Sequence, residues 1–223
     1  MGRLSVLTAA AVLVVTGLLG VPLAQATPSD GVLAARQTAD KYCDSATGLC
    51  YLELSTRSTN PTYRVAIPGA ASAPFDTLLQ IVAPASLGWA GFAWGGGMTL
   101  NPLTVAWPDG KGGVTVSSRW ATGRALPTVY SGATLKTLSA TTNATHWAVE
   151  VLCAGCSRWG SGASLSSTGV HTFAWAMSKT PVPQPANPSS SFSIHNNVGM
   201  VSGDMADAQV AQSVFQAHAA GGR

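Results

Sequence analysis

The feature that most constrains this chain is its rhythm: short apolar or alternating runs, each closed by Gly, Pro, Asn or Ser. Residues 52–57 and 63–67 alternate apolar and polar, 78–82 is apolar around Gln80, and 89–94 is aromatic and small before Gly95-Gly96-Gly97. Residues 103–107 end at a Pro108-Asp109-Gly110 turn, and 114–119 follow Gly112-Gly113, the pattern of a hairpin with a longer loop. Residues 146–152 put Trp147, Val149 and Val151 on one face, and 170–177 repeat the alternation. Eight or more short strands at this spacing predict an all-β sandwich or barrel. No long amphipathic run supplies the helices that a parallel βαβ sheet needs.

The two ends read differently from the middle. Residues 1–26 have Arg3, an apolar stretch and a Leu23-Ala24-Gln25-Ala26 end, the form of a secretory signal peptide. A membrane anchor is the competing reading, but the apolar run is short and no basic stop-transfer segment follows. The expectation is a secreted, extracellular protein with one β-domain over 27–203. A C-terminal helix and tail would cover 204–223, with Asp204 as cap and Met205, Ala208, Ala211 and Phe215 along one side from 205 to about 219. Residues 181–191, rich in Pro and Ser, read as a surface excursion of that domain rather than a linker.

Charge excludes one class of function. Loss of 1–26 removes Arg3 alone from the twelve Lys and Arg, leaving eleven against nine acids. A nearly neutral chain without a basic block has no footprint for nucleic acid, and no membrane partner is expected. The four cysteines form two local pairs, Cys43/Cys50 and Cys153/Cys156. For Cys153-Ala154-Gly155-Cys156 a redox pair would want a βαβ context, c-type haem attachment would want His where Ser157 stands, and zinc would want further ligands. Structural disulfides fit an exported chain best. Asn143-Ala144-Thr145 is an N-glycosylation acceptor, whereas Asn60 and Asn187 each precede Pro.

Catalytic signatures are missing. There is no G-x-S-x-G elbow, no Gly-rich dinucleotide fingerprint and no paired acids in an aromatic cleft. Met98, after three glycines, and His195, between a Ser-rich loop and Gly199, stand out as soft and borderline iron ligands, but they are ninety-seven positions apart. Taken singly, a Met is usually core filler and a His usually structural.

Resemblance joins them. Phe92-Ala-Trp-Gly-Gly-Gly-Met98, Asn101-Pro-Leu-Thr-Val-Ala-Trp107, Val116-Ser-Ser-Arg-Trp-Ala-Thr-Gly123 and Pro127-Thr-Val-Tyr-Ser-Gly132 resemble blocks of the cytochrome domain of fungal cellobiose dehydrogenases. Asn143-Ala-Thr-His-Trp147, Cys153-Ala-Gly-Cys-Ser-Arg-Trp159, Phe173-Ala-Trp175 and Ser191-Phe-Ser-Ile-His195 continue the likeness in the same order. The blocks span about residues 42–203.

The resemblance implies an antiparallel, immunoglobulin-like β-sandwich with a haem pocket at one end, and non-covalent haem b held by Met98 and His195. A thioether ligand favours ferrous iron and raises the potential, and two filled axial positions make a carrier rather than an oxygenase. Arg119, Arg124 and Tyr130 are candidates for the haem propionates, and Trp94 and Trp120 for packing on the porphyrin. Met177 is expected in the core, with His146 and His171 facing solvent. The chain ends soon after these blocks, so it is read as a stand-alone, monomeric carrier without the family's flavin dehydrogenase domain, and sugar oxidation is not carried over. Implied partners are a flavin dehydrogenase or small reductant as donor. Copper polysaccharide monooxygenases, ferric complexes (a ferric reductase activity) or quinones would be acceptors, in lignocellulose degradation. The alternatives are a haem-free carbohydrate-binding sandwich and a cytochrome fragment of a longer dehydrogenase.

Overall fold

The computed structural model describes residues 38–55, 58–160 and 162–221. The leader expected over 1–26 lies outside the described residues. Two antiparallel sheets face each other. One runs in the order β1 (Thr38–Cys43), β2 (Cys50–Ser55), β3 (Thr62–Pro68), β4 (Thr77–Pro84), β10 (His146–Ala154), β9 (Thr134–Thr142), with the short β15 (Gln209–Val210) parallel to β3. The other runs β14 (Asn197–Asp204), β13 (Val170–Ser178), β5 (Trp89–Ala93), β6 (Leu103–Pro108), β7 (Val114–Trp120), β8 (Thr128–Val129). A two-stranded ribbon, β11 (Arg158–Trp159) with β12 (Ala163–Ser164), completes the β-structure. The expected all-β sandwich is what the chain forms.

Alternation decides which side chains meet between the sheets. Leu52, Leu54, Tyr63, Val65, Leu79, Ile81, Trp147, Val149 and Val151 face Phe92, Ala106, Phe173, Trp175, Met177 and Val201 in one buried cluster. Phe92 sits at its centre, 5.1 Å from the Tyr63 ring, 4.9 Å from Phe173 and 5.1 Å from Trp94. The Tyr63 hydroxyl crosses between sheets to donate to the Gly91 carbonyl at 3.0 Å. Burying each such large side chain stabilises the fold by roughly 1.5–3 kcal/mol. Both disulfides form, Cys43–Cys50 and Cys153–Cys156, and the first closes the β1–β2 turn, where Asp44 N donates to Leu49 O at 2.9 Å.

The C-terminal helix is shorter than the sequence pattern predicts. α1 covers Gln212–Ala219, and Asp204 belongs to β14, where its carboxylate accepts from Ala206 N at 2.9 Å. Met205 and Ala208 are fully buried in the intersheet core, and Gln209–Val210 pair with β3. Core burial and a strand pairing therefore override the helical spacing over 205–211. Phe215 of α1 then packs on Leu49, Tyr51, Ala66 and Leu78, covering the outer face of the first sheet.

Candidate functional site

The outer face of the second sheet carries the unusual features. Its central side chains are Trp89 and Ala93 on β5, Leu103, Val105 and Trp107 on β6, and Ala174 and Ala176 on β13. Residues 179–196 cross this face as a strap. Trp107 Nε1 and Thr115 Oγ1 donate to the Pro185 carbonyl at 2.8 and 2.6 Å, and Ser117 Oγ donates to Pro188 O at 2.6 Å. Phe192 lies edge-on to Trp89 with ring centroids 5.0 Å apart. The strap thus seals β5, β6 and β7, and the Pro/Ser-rich surface excursion expected from the sequence is a bonded cover.

Over β13 and β14 no strap runs, and there the face stays apolar and open. Ala174 pairs with Met200 and Ala176 with Val198. The two alanines are partly exposed, and Val198 and Met200 are 51% and 61% exposed. Gly91 and Ala93 on β5 continue this row of small residues. At its margins stand two more exposed apolar side chains, Leu100 at 61% and Ile194 at 72%. Large apolar side chains gathered in the open mark a binding surface. A floor of Ala and Gly leaves room for a flat apolar body.

Two loops border this opening, one bearing Met98 and the other His195. The Met98 loop leaves β5 through Gly95-Gly96-Gly97 and folds back over the sheet. Gly96 takes φ +77°, and a Cβ there would stand 2.9 Å from the Thr172 carbonyl, so glycine is required. Thr99 bridges Ala121, and Leu100 N donates to Ala121 O at 2.8 Å. Met98, partly buried, packs against the outer-face cluster. His195 follows Phe192 of that same cluster. Its turn is pinned on both sides: the Ser178 hydroxyl lies 3.0 Å from Ser193 Oγ and 2.9 Å from Asn196 Oδ1, and Asn196 N donates to Met177 O at 2.8 Å. The imidazole itself is exposed and makes no hydrogen bond among the described residues.

The other residues singled out in the sequence fall elsewhere. Arg119 is 3% exposed, and its guanidinium donates to Ser117 Oγ at 2.6 Å, Pro127 O at 3.3 Å, Pro188 O at 2.8 Å and Ser190 O at 2.6 Å. Burial pulls its pKa down. This arginine holds the strap. Arg124 is exposed in the turn after β7. Tyr130 stacks on Trp120 at 4.7 Å, and both pack against the intersheet core rather than the open face. Trp94 is fully buried there too, donating to Thr104 Oγ1 at 3.0 Å. His146 is exposed as expected, but His171 is not a solvent-facing residue: its Nε2 lies 2.8 Å from the Trp94 carbonyl, because the glycine loop folds back onto β13. Met177 is in the core. Sequence reasoning missed Asn101, Ser178 and Asn196, which shape the two loops. A Ser or Asn beside a candidate ligand is too common a signal to notice.

Cavity size alone points away from this site. One cavity, about 560 Å³, lies beside α1 against Phe75 and Phe215, on the far sheet. A cleft of about 300 Å³ lies between the strap and β8, lined by Arg119, Leu126, Val129 and Phe192. The open apolar face belongs to neither. Its chemistry, a thioether and an imidazole at the margins of an apolar floor, makes it the better candidate.

The chain belongs to the family described as the cytochrome domain of cellobiose dehydrogenase, whose model matches residues 42–214. A pyrroloquinoline quinone-dependent pyranose dehydrogenase of Coprinopsis cinerea is 34% identical over 180 residues, covering 78% of this chain and 25% of the relative. The chain thus spans about a quarter of that relative's length. Among solved structures, the cytochrome b domain of pyranose dehydrogenase from Coprinopsis cinerea superposes with a TM-score of 0.74 at 31% identity, over 82% of this chain and 95% of that one. The cytochrome domain of Myriococcum thermophilum cellobiose dehydrogenase gives 0.71 at 27% identity, over 84% and 98%.

Proposed function

We propose that this protein is a b-type cytochrome that carries single electrons, binding haem non-covalently on the open face of the second sheet with Met98 and His195 as axial ligands. The observation that carries the reading is the placement of these two residues, on independently braced loops, at the borders of an apolar floor of Ala174, Ala176, Val198 and Met200. The residues fit the group. The thioether and the unpartnered imidazole supply a low-spin donor set, and exposed Leu100 and Ile194 supply apolar walls. When bound, haem supplies a one-electron couple whose potential a thioether raises. The chain's own residues hold the ligands and leave the β14 margin open toward a partner. Exposed Arg124 is the proposed cation for a propionate.

Donor and acceptor are proposed from the family resemblance. A dehydrogenase, in the same polypeptide or separate, would reduce the domain. A copper polysaccharide monooxygenase, ferric complex or quinone would oxidise it. Leader residues 1–26 and the acceptor Asn143, exposed at the β9–β10 turn, fit an extracellular glycoprotein. The carbohydrate-binding alternative is the weaker one. Trp89, Trp94, Trp107, Trp147, Trp159 and Trp175 are all buried, and Trp120 is stacked on Tyr130, leaving no exposed indole platform among the described residues. The test is absorption spectroscopy of haem-reconstituted protein with Met98→Ala and His195→Ala. Sharp low-spin bands on reduction, altered by each substitution, are expected; failure to take up haem would overturn the reading.

A further inference from the structure

We infer that Asn101 is the positioning residue for the Met98 thioether, an inference that rests on the haem reading above. Asn101 is 4% exposed, and both ends of its amide are hydrogen-bonded. Its Oδ1 accepts from Gly95 N at 3.1 Å, and its Nδ2 donates to Gly97 O at 2.7 Å and Thr99 O at 2.9 Å. Gly97 and Thr99 are the two neighbours of Met98, so one side chain fixes the backbone on both sides of the ligand. Gly95 is part of the device. A Cβ at that position would stand 2.8 Å from Asn101 Cβ and 2.9 Å from the Trp159 ring, so the amide can lie against the backbone only because residue 95 has no side chain.

The chemistry of the ligand explains why such a clamp matters. A thioether is an uncharged, weak donor on a side chain with three rotatable bonds, so no electrostatic pull brings it to iron. Its occupancy depends on how little freedom is lost on binding. An imidazole is a stronger donor and depends less on its backbone. Only asparagine meets the requirement here. Aspartate keeps the acceptor for Gly95 but sets a carboxylate against two carbonyls, and alanine leaves all three groups without a partner.

The experiment compares haem-reconstituted wild-type protein with Asn101→Asp, Met98→Ala and the double variant, reading the near-infrared thioether–iron band, the midpoint potential and the amide exchange of Gly97 to Thr99. Asn101→Asp is expected to retain haem but lose most of the thioether band, with faster exchange confined to the loop. A tenfold weaker sulfur bond to ferrous relative to ferric iron lowers the potential by about 59 mV. In the Met98→Ala background the same substitution should leave the potential unchanged, which a merely structural role would not do. Should Asn101→Asp not fold, Gly95→Ala presses on the same amide and is expected to give the same loss. An intact thioether band, or an equal shift in both backgrounds, overturns the positioning role alone. Absence of haem uptake by the wild-type protein overturns it together with the haem reading.

Discussion

The Ser178 hydroxyl donates to Asn196 Oδ1 at 2.9 Å and stands 3.0 Å from Ser193 Oγ, so one buried serine at the end of β13 grips the chain on both sides of His195. Trp89 Nε1 donates to Ser193 Oγ at 3.3 Å, extending the chain of hydrogen bonds into β5. Each bond in such a run polarises the next. Ser178→Ala leaves Asn196 and Ser193 short of partners, at a cost of about 1–3 kcal/mol. Haem affinity is expected to fall about tenfold, the equivalent of one lost hydrogen bond's free energy. Titration of the variant with haem checks this, and an affinity equal to wild type would refute the role of the grip.

Arg119 gives a sharper distinction between two roles. Its four hydrogen bonds run to Ser117 on β7, to the β7–β8 connection and twice to the strap, which makes it structural even without haem. A lysine cannot reproduce that planar fork. Arg119→Lys is expected to destabilise the haem-free protein by about 2–4 kcal/mol, through unpaired buried carbonyls and a displaced ammonium. Denaturant unfolding of the haem-free form reads this directly. Unchanged haem-free stability with a shifted potential in the holo form would instead return Arg119 to the propionates.

The contrast between these residues shows what a sequence of this kind discloses. β10 was legible because Trp147, Val149 and Val151 alternate into a core and are buried. β9 was not, because it is an edge strand with no fully buried residue, so no apolar alternation marks it. β14 hid for a related reason. Its outer residues Val198 and Met200 are open to solvent, and glycines interrupt its inner row. Met98 and His195 could be paired only by family likeness, since the strand order β14-β13-β5 that sets both loops on one sheet is a long-range outcome. Arg119 stood as a propionate candidate because the strap that buries it arrives about seventy residues later.

Two phenols set the alkaline limit of the fold. Tyr63 is fully buried and its pKa is pushed far up by desolvation. Tyr51 is raised by burial first and then by its hydrogen bond to the Glu150 carboxylate, which also accepts from His218 Nε2 at 2.9 Å. Because both folded values lie above the unfolded one, the stability they contribute is complete below pH about 10 and is lost as pH rises beyond it. Above that point the unfolded chain sheds protons that the native one keeps. Each phenol steepens the fall by about 1.4 kcal/mol per pH unit. Urea unfolding between neutral and strongly alkaline pH should show this slope, halved in Tyr51→Phe. A slope unchanged in that variant would contradict the assignment.

Leu100 carries backbone strain and an exposed side chain. Its φ is +60°, a left-handed conformation that costs a non-glycine residue about 1–2 kcal/mol, and its side chain is 61% exposed. Leu100→Gly relieves that strain while adding glycine's backbone entropy in the unfolded chain, about 0.5–1 kcal/mol. The haem-free variant is therefore expected to be as stable as wild type or more so, by up to about 1 kcal/mol. Haem-bound protein should respond in the opposite direction. If Leu100 walls the site beside Met98, its removal uncovers apolar area and weakens haem binding severalfold, on the scale of one partly buried leucine. Thermal unfolding with and without haem separates the two effects. A loss of stability in the haem-free form would show that Leu100 serves the fold, and unchanged haem affinity would remove it from the wall of the site.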